Sequence, residues 1–182
     1  DWEKKKELLA SGELDCAMGS FSMTGRESEY RRAGPYLASR QVVAVNPESD
    51  IYTLADLEGR VVGVQSTTKP EGILLNRTNE NVPQIKELYS FSDRSCLNPA
   101  LVEGLVDAIA AHESSLLTYE KDYGVTYRIL NEPLLEVGLG TAFDINDTRG
   151  IDVKLTHATK KCLPMAPWNA WCQSTLMTPH HF

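Results

Sequence analysis

"LVEGLVDA" occupies residues 101–108, and "LASGELDC" at residues 9–16 has the same frame. Each runs Leu, two residues, Gly, two residues, Asp, then a small residue. Each copy reads as a helix end, a glycine stop and an apolar strand. Any architecture proposed for the chain must account for that doubling.

Working outward, "LVDAIAA" is a strand, preceded by a helix over residues 96–103 and followed by one over 112–122. "RVVGVQ" at 60–65 and "RQVVAVN" at 40–46 are β-branched strands of buried type. Between them "TLADLEG" is a short helix with Thr53 as N-cap. "STTKPEGILLNR" opens a further helix, with Thr68 and Glu71 in capping-box spacing and Pro70 in the first turn. "IKELYSF", "TYRILNEPLL" and "VGLGTAFD" read as strands. Toward the N-terminus, "WEKKKELLA" has helical spacing and stops at Ser11-Gly12. "LDCAMGSF" reads as a buried strand with Cys16 in the core, and "SMTGRESEYRRAGPY" as a polar turn region with a Gly34-Pro35 breaker. Strands alternating with helices predict an α/β fold with a mainly parallel sheet.

The chain has 182 residues, is 42% hydrophobic and carries a formal net charge of −7. An acidic chain without a basic stripe argues against nucleic acid and anionic lipid as partners. No apolar run approaches the roughly 18–20 residues that span a bilayer. The chain starts at Asp1 and not Met, which reads as a fragment, so the lack of a signal peptide carries no weight. The four Cys lack metal-type spacing, the four His form no cluster, and no cofactor motif is present. Gly-x-Ser-x-Gly, His-Glu-x-x-His and phosphate-loop patterns are absent.

Three blocks in order, "LLASGELDCAMGSFSMTGRE…GPYLASRQVVAV", "TLADLEGRVVGVQSTTKPEGIL" and "GLVDAIAAHE", resemble the bacterial extracellular solute-binding proteins of family 3. These are the polar-amino-acid type of periplasmic binding protein. The resemblance covers roughly residues 1–160. It implies a type II, two-lobed α/β fold joined by crossing strands that closes like a hinge on a small polar solute. One Gly-x-x-Asp unit then sits in each lobe. Residues 1–38 would be a remnant of lobe one, 39–135 lobe two, and 136–160 the return to lobe one. The family carries further residues before the position of Asp1, so the first lobe is expected to be incomplete, with an unpaired edge.

Three groups of residues are candidates for binding. The first is Ser20, Ser22, Thr24 and Arg26. Hydroxyls and backbone N–H groups at a strand end can hold a carboxylate, and a guanidinium can clamp it bidentately. In the family an Arg stands three positions after the Thr. Here position 27 is Glu and Arg26 comes one place early, in a stretch one residue short. The alternative is that Ser22 and Thr24 only cap a turn. The second group is Ser66, Thr67, Thr68 and Lys69, between a buried strand and a helix N-terminus, a natural anion site. Plain capping by Thr68 is the alternative. The third is His112 with Glu113, where the amino-acid binders carry an Asp that pairs with the ligand ammonium. A neutral His cannot replace that carboxylate. Either Glu113 takes over, or the ligand lacks an α-ammonium, or His112 only starts a helix. Asp15 and Asp107 read as structural.

The last stretch, "CLPMAPWNAWCQSTLMTPHHF", has no period of either kind. Met and Trp have single codons, so regrouping bases by one place forces Gly after Met165, Glu after Trp168 and Val after Trp171. The open positions permit Asp-Gly-Thr-(Val/Leu)-Glu-Arg-Leu-Val, a family-type ending. Residues 161–182 are therefore expected to be out of frame, leaving Cys162, Cys172, Trp168, Trp171, His180 and His181 without function.

The resemblance implies a binding module and not an enzyme, lying outside the cytoplasm. Its ligand would be an amino acid or related carboxylate. Its partner would be the membrane permease of an ABC importer. In the alternative, the module senses ligand for its own signalling domain, as in a histidine kinase or diguanylate cyclase.

Overall fold

The computed structural model describes residues 2–19 and 21–162. The expected frame change at 161–182 lies almost wholly outside them, as does Ser20. The elements are α1 (Lys5–Ser11), β1 (Tyr30–Val45), β2 (Val61–Gln65), α2 (Lys69–Asn76), β3 (Glu87–Phe91), α3 (Leu97–Val102), β4 (Ala108–His112), α4 (Glu113–Tyr123), β5 (Arg128–Ile129), β6 (Leu135–Asp144) and α5 (Ile151–Cys162). Short 3₁₀ turns cover Leu54–Leu57 and Arg94–Cys96. The chain divides into two compact units. One holds Asp1–Lys5 with Arg40–Glu136, and the other Lys6–Ser39 with Val137–Phe182.

In the first unit the strand order is β3-β2-β4-β1-β5. β2 runs parallel to β3 and β4, whereas β1 is antiparallel to β4 and β5. The sheet is therefore mixed, not mainly parallel: β1 reaches it as part of one long strand and not through a helical crossover. Both faces are buried, which is why these strands read as continuous apolar runs. Val43, Val45, Val62, Val64, Ala108 and Ala110 face one cluster with Ile73 and Leu74 of α2. Val42, Ala44 and Ile109 face the other with Leu97, Ala100 and Leu101 of α3 and Leu116 of α4. Of "TYRILNEPLL" only Arg128–Ile129 and the last residue, Leu135, which opens β6, are strand. Between them Pro133 has no N–H for a ladder, and Glu132 turns to accept Leu54 N–H at 3.1 Å.

The doubled Gly-x-x-Asp unit is doubled in geometry. Gly12 and Gly104 both have positive φ, +76° and +72°. Each donates its N–H to the carbonyl three residues back, Leu9 and Leu101, at 3.2 Å. Two residues after each glycine, Leu14 and Val106 donate to Leu8 and Ala100 at 3.1 and 3.2 Å. The aspartates then do structural work. Asp107 Oδ2 accepts Val61 N–H at 2.8 Å. Asp15 accepts from Arg149, which also grips Asp147 through Nε and Nη2.

In the second unit, "LDCAMGSF" is not a buried strand. It makes two isolated bridges, Ala17 to Ala142 and, just beyond, Ser22 to Leu139. Leu14 and Met18 are exposed, Cys16 is half-buried, and Gly19 takes a positive φ that breaks the extended path. Conversely, β1 begins at Tyr30, inside the stretch expected to be a turn, and runs through Gly34-Pro35. Its burial there is supplied by α5: Thr156 Oγ1 accepts Gly34 N–H at 3.2 Å, and Arg31 Nε and Nη2 reach Asp152 at 3.1 and 2.9 Å. β6 pairs with β1. A side chain at Gly140 would meet Ala33 O at 2.6 Å, so the close approach requires glycine.

The backbone and charge geometry give three expectations. Gly104→Ala, at a left-handed position, should lower unfolding free energy by about 1–2 kcal/mol in urea. Gly72→Ala, in α2 with open space around the new Cβ, should raise it by about 0.5–1 kcal/mol. Side-chain hydrogen bonds from Arg149 hold the Asp147 carboxyl at about 2. Its contribution is then present above the unfolded value of about 3.9 and disappears as pH falls through the folded value. Stability measured from pH 4 down to 2 should fall less steeply in Asp147→Asn than in the parent chain.

Candidate functional site

β2 leads through α2 to β3 on one side, and β3 leads through α3 to β4 on the other side of β2. The carboxyl ends of β2 and β4 are thus a topological switch point, where open α/β sheets take their ligands. β2 and β4 are in parallel register with Val64 beside Ala110. Just beyond it, Ser66 follows the end of β2 and His112 ends β4, at the same edge of the sheet. The N-termini of α2 and α4 open at this edge, with Thr68 and His112 as N-caps. Neither N-cap side chain accepts a hydrogen bond from its own first turn. The positive ends of both helices therefore face one place.

At the β2 end, Ser66 N–H donates to Phe91 O at 2.8 Å, and its hydroxyl, with a single proton, donates to Glu3 Oε1 with Phe91 O as the more distant alternative acceptor at 3.2 Å. Thr67 has φ +56°, a strained value for a β-branched residue. Its N–H donates to Glu71 Oε2 at 2.6 Å and its Oγ1 accepts from Lys5 Nζ at 3.0 Å. Thr68 Oγ1 donates back to Gln65 O. Glu71 thus reaches one residue further back than the Thr68 capping box requires. Lys69 is half-buried as the first residue of α2. The buried Lys5 also donates to Trp2 O at 3.1 Å and lies 4.8 Å from the centre of the Trp2 ring. Lys5 and Glu3 were not legible as site residues, because "WEKKK" reads as an ordinary polar helix start.

At the β4 end, Glu113 is gripped bidentately by Arg40, Nε to Oε2 at 2.9 Å and Nη2 to Oε1. Glu113 hydrogen bonding raises the Arg40 guanidinium above its ordinary value. Gln41, opposite His112 in the β1–β4 ladder, puts its amide Nε2 2.7 Å from His112 Nε2. Gln41 is 1% exposed, and its Oε1 meets no hydrogen-bond partner among the described residues. Arg40 and Gln41 were missed because they lie about 70 residues away in sequence.

The second unit holds the remaining candidates. Ser22 is buried at its bridge to Leu139, and its Oγ and the Thr141 Oγ1 have no hydrogen-bond partner among the described residues. Arg26 is buried with its guanidinium 4.9 Å from the centre of the Phe21 ring, and burial lowers its affinity for the proton. Thr24 is exposed in a turn. Glu27 accepts from Gly25 N–H at 3.1 Å and from Arg32 Nη1 at 3.0 Å. Backbone N–H donation, its own first, holds that carboxyl below the ordinary range. No group of three metal-ligating side chains occurs among the described residues.

No family model matches the chain. The chain is 27% identical over 160 residues to the glutamate-binding protein GluB of Corynebacterium glutamicum, a match covering 82% of the chain and 52% of the relative. It therefore spans about half the length of the curated relatives it matches. Among solved structures, it is similar to an ABC uptake transporter substrate-binding protein from Streptococcus pneumoniae with bound histidine. The TM-score is 0.83 at 19% identity, over 97% of the chain and 73% of that structure. It is also similar to the GluR0 ligand-binding core from Nostoc punctiforme in complex with L-glutamate. There the TM-score is 0.76 at 17% identity, over 93% of the chain and 76% of that structure. The chain has the two-lobed α/β fold of these binding proteins, and its resemblance to the extracellular solute-binding proteins of family 3 holds.

Proposed function

We propose that the chain binds a small polar solute, an amino acid or related carboxylate, as the extracytoplasmic substrate-binding component of an ABC-type importer. One observation carries the reading: two helix N-termini, neither closed by its own N-cap side chain, open side by side at the switch point of the first unit. Such an edge favours an anionic group. The curated relative named for glutamate is in keeping with it. Thr67, Thr68 and Lys69 supply donors at the β2 end, and His112 and Glu113 line the β4 end. Ser22, Thr24 and Arg26, with Ser20, stand as the second unit's contribution. The chain binds without turnover, and its partner is the importer's membrane permease.

A ligand-sensing domain of a membrane signalling protein is the second reading; the GluR0 structure, which shares the fold, is itself a ligand-binding core. Joining the chain's genetic context to permease genes or to a signalling domain separates the two.

The strained Thr67 gives the test. Thr67→Gly relieves the positive φ but removes the acceptor of the buried Lys5 ammonium and loosens the unfolded chain, so unfolding stability should change by less than about 1 kcal/mol. The same change removes the hydroxyl and should weaken carboxylate binding by about tenfold in titration calorimetry. Unchanged affinity for every carboxylate that binds the parent chain would remove Thr67 from the site.

A further inference from the structure

Thr67 holds a conformation that a β-branched residue does not choose by itself. Its φ of +56° is strained, and such backbone persists only where the surroundings over-determine it. Two contacts bear on it. Glu71 Oε2 accepts its N–H at 2.6 Å, from the first turn of α2. Lys5 Nζ donates to its Oγ1 at 3.0 Å, from 62 residues away. Glu71 restrains the main chain, whereas Lys5 restrains χ1, the torsion that aims the hydroxyl. Lys5 is itself fixed. It is 8% exposed, donates to Trp2 O at 3.1 Å, and has its ammonium 4.8 Å from the centre of the Trp2 ring. It belongs to the same compact unit as Thr67. A lysine buried in this way has already lost its rotamer freedom, so it can serve as a fixed post for a neighbour. An ammonium has three protons and no lone pair, so the direction of the bond is settled. Thr67 Oγ1 accepts from Lys5, and its own proton takes no part in that contact.

Resting on the proposed solute-binding role of Thr67, we infer that Lys5 is a positioning residue for solute binding: it locks the Thr67 side chain in one rotamer, so that an arriving solute meets a hydroxyl already oriented. Lys5 touches Thr67 and need not touch the solute. The ordering of Thr67 is completed when the chain folds and does not weigh on binding. A residue that acts only through the Thr67 hydroxyl loses its influence when that hydroxyl is gone. A general structural support does not.

The test is a double-mutant cycle read by titration calorimetry on the whole chain. The common amino acids, glutarate and succinate are titrated into the parent chain, and the tightest binder is kept as the probe. Lys5→Met keeps the apolar stem and removes the ammonium, and should weaken the probe by about tenfold. In a Thr67→Val background, which keeps the shape and removes the hydroxyl, Lys5→Met should change affinity by less than about twofold. In a Thr67→Ser background, which keeps the hydroxyl, the loss of about tenfold should return. Thr67→Ala gives the hydroxyl-free comparison should the valine variant not fold. Lys4→Met, which removes an exposed charge one residue away, should bind as the parent does. Lys5→Met that binds the probe like the parent, or that weakens it equally in the Thr67→Val background, overturns the inference and leaves the solute-binding role standing. An equal loss in Lys4→Met assigns the effect to net charge and overturns it too. A parent chain that binds none of these solutes removes the solute-binding role, and the inference falls with it.

Discussion

Asp107 grips the first residue of β2 twice: its N–H donates to Val61 O and its carboxylate accepts Val61 N–H, both at 2.8 Å. This two-point contact fixes the register of β2 against β4. Register in a sheet buried on both faces is all or nothing, since a slip of one residue would send Val62 and Val64 to the wrong cluster. The carboxyl edge depends on that choice, because it sets which residues of β2 and β4 end together, Val64 beside Ala110. The glycine four residues before Ala108 works to the same end, turning α3 so that Asp107 arrives in line.

The parts of the fold that were legible are those where one physical demand dominates. β2 and β4 are buried on both faces, and their apolar runs announce it. α2 and α4 begin with residues whose backbone is extended at the N-cap, after strands that end abruptly. Elsewhere the demand is split. "LDCAMGSF" has an apolar look but leaves Met18 and Leu14 exposed, so its composition misstates its environment. α5 escapes a periodicity reading for the opposite reason. Val153 is exposed, and the helix is fastened by Asp152 and Thr156 more than by an apolar stripe.

The same distinction runs through the candidate site. Residues that act near their own place in the chain, such as Thr68 at the head of α2, can be found from spacing. Lys5, Arg40 and Gln41 act across long separations, and no local pattern marks a lysine that will be buried or an arginine that will be paired. The Arg40–Glu113 contact is only partly shielded from water. Half-exposed ion pairs contribute little to stability.

Glu71 adds a further consequence. Its carboxylate already sits on Thr67 N–H, at the head of the helix that would receive an anion. A solute carboxylate arriving there does not fill a vacancy; it displaces a tethered competitor. The apparent affinity is then an exchange constant, the solute's intrinsic attraction divided by the effective local concentration of the side chain it evicts. Weak binding would not by itself indicate a poorly built site, and shortening Glu71 would change affinity for every anion by a common factor while leaving their ranking intact.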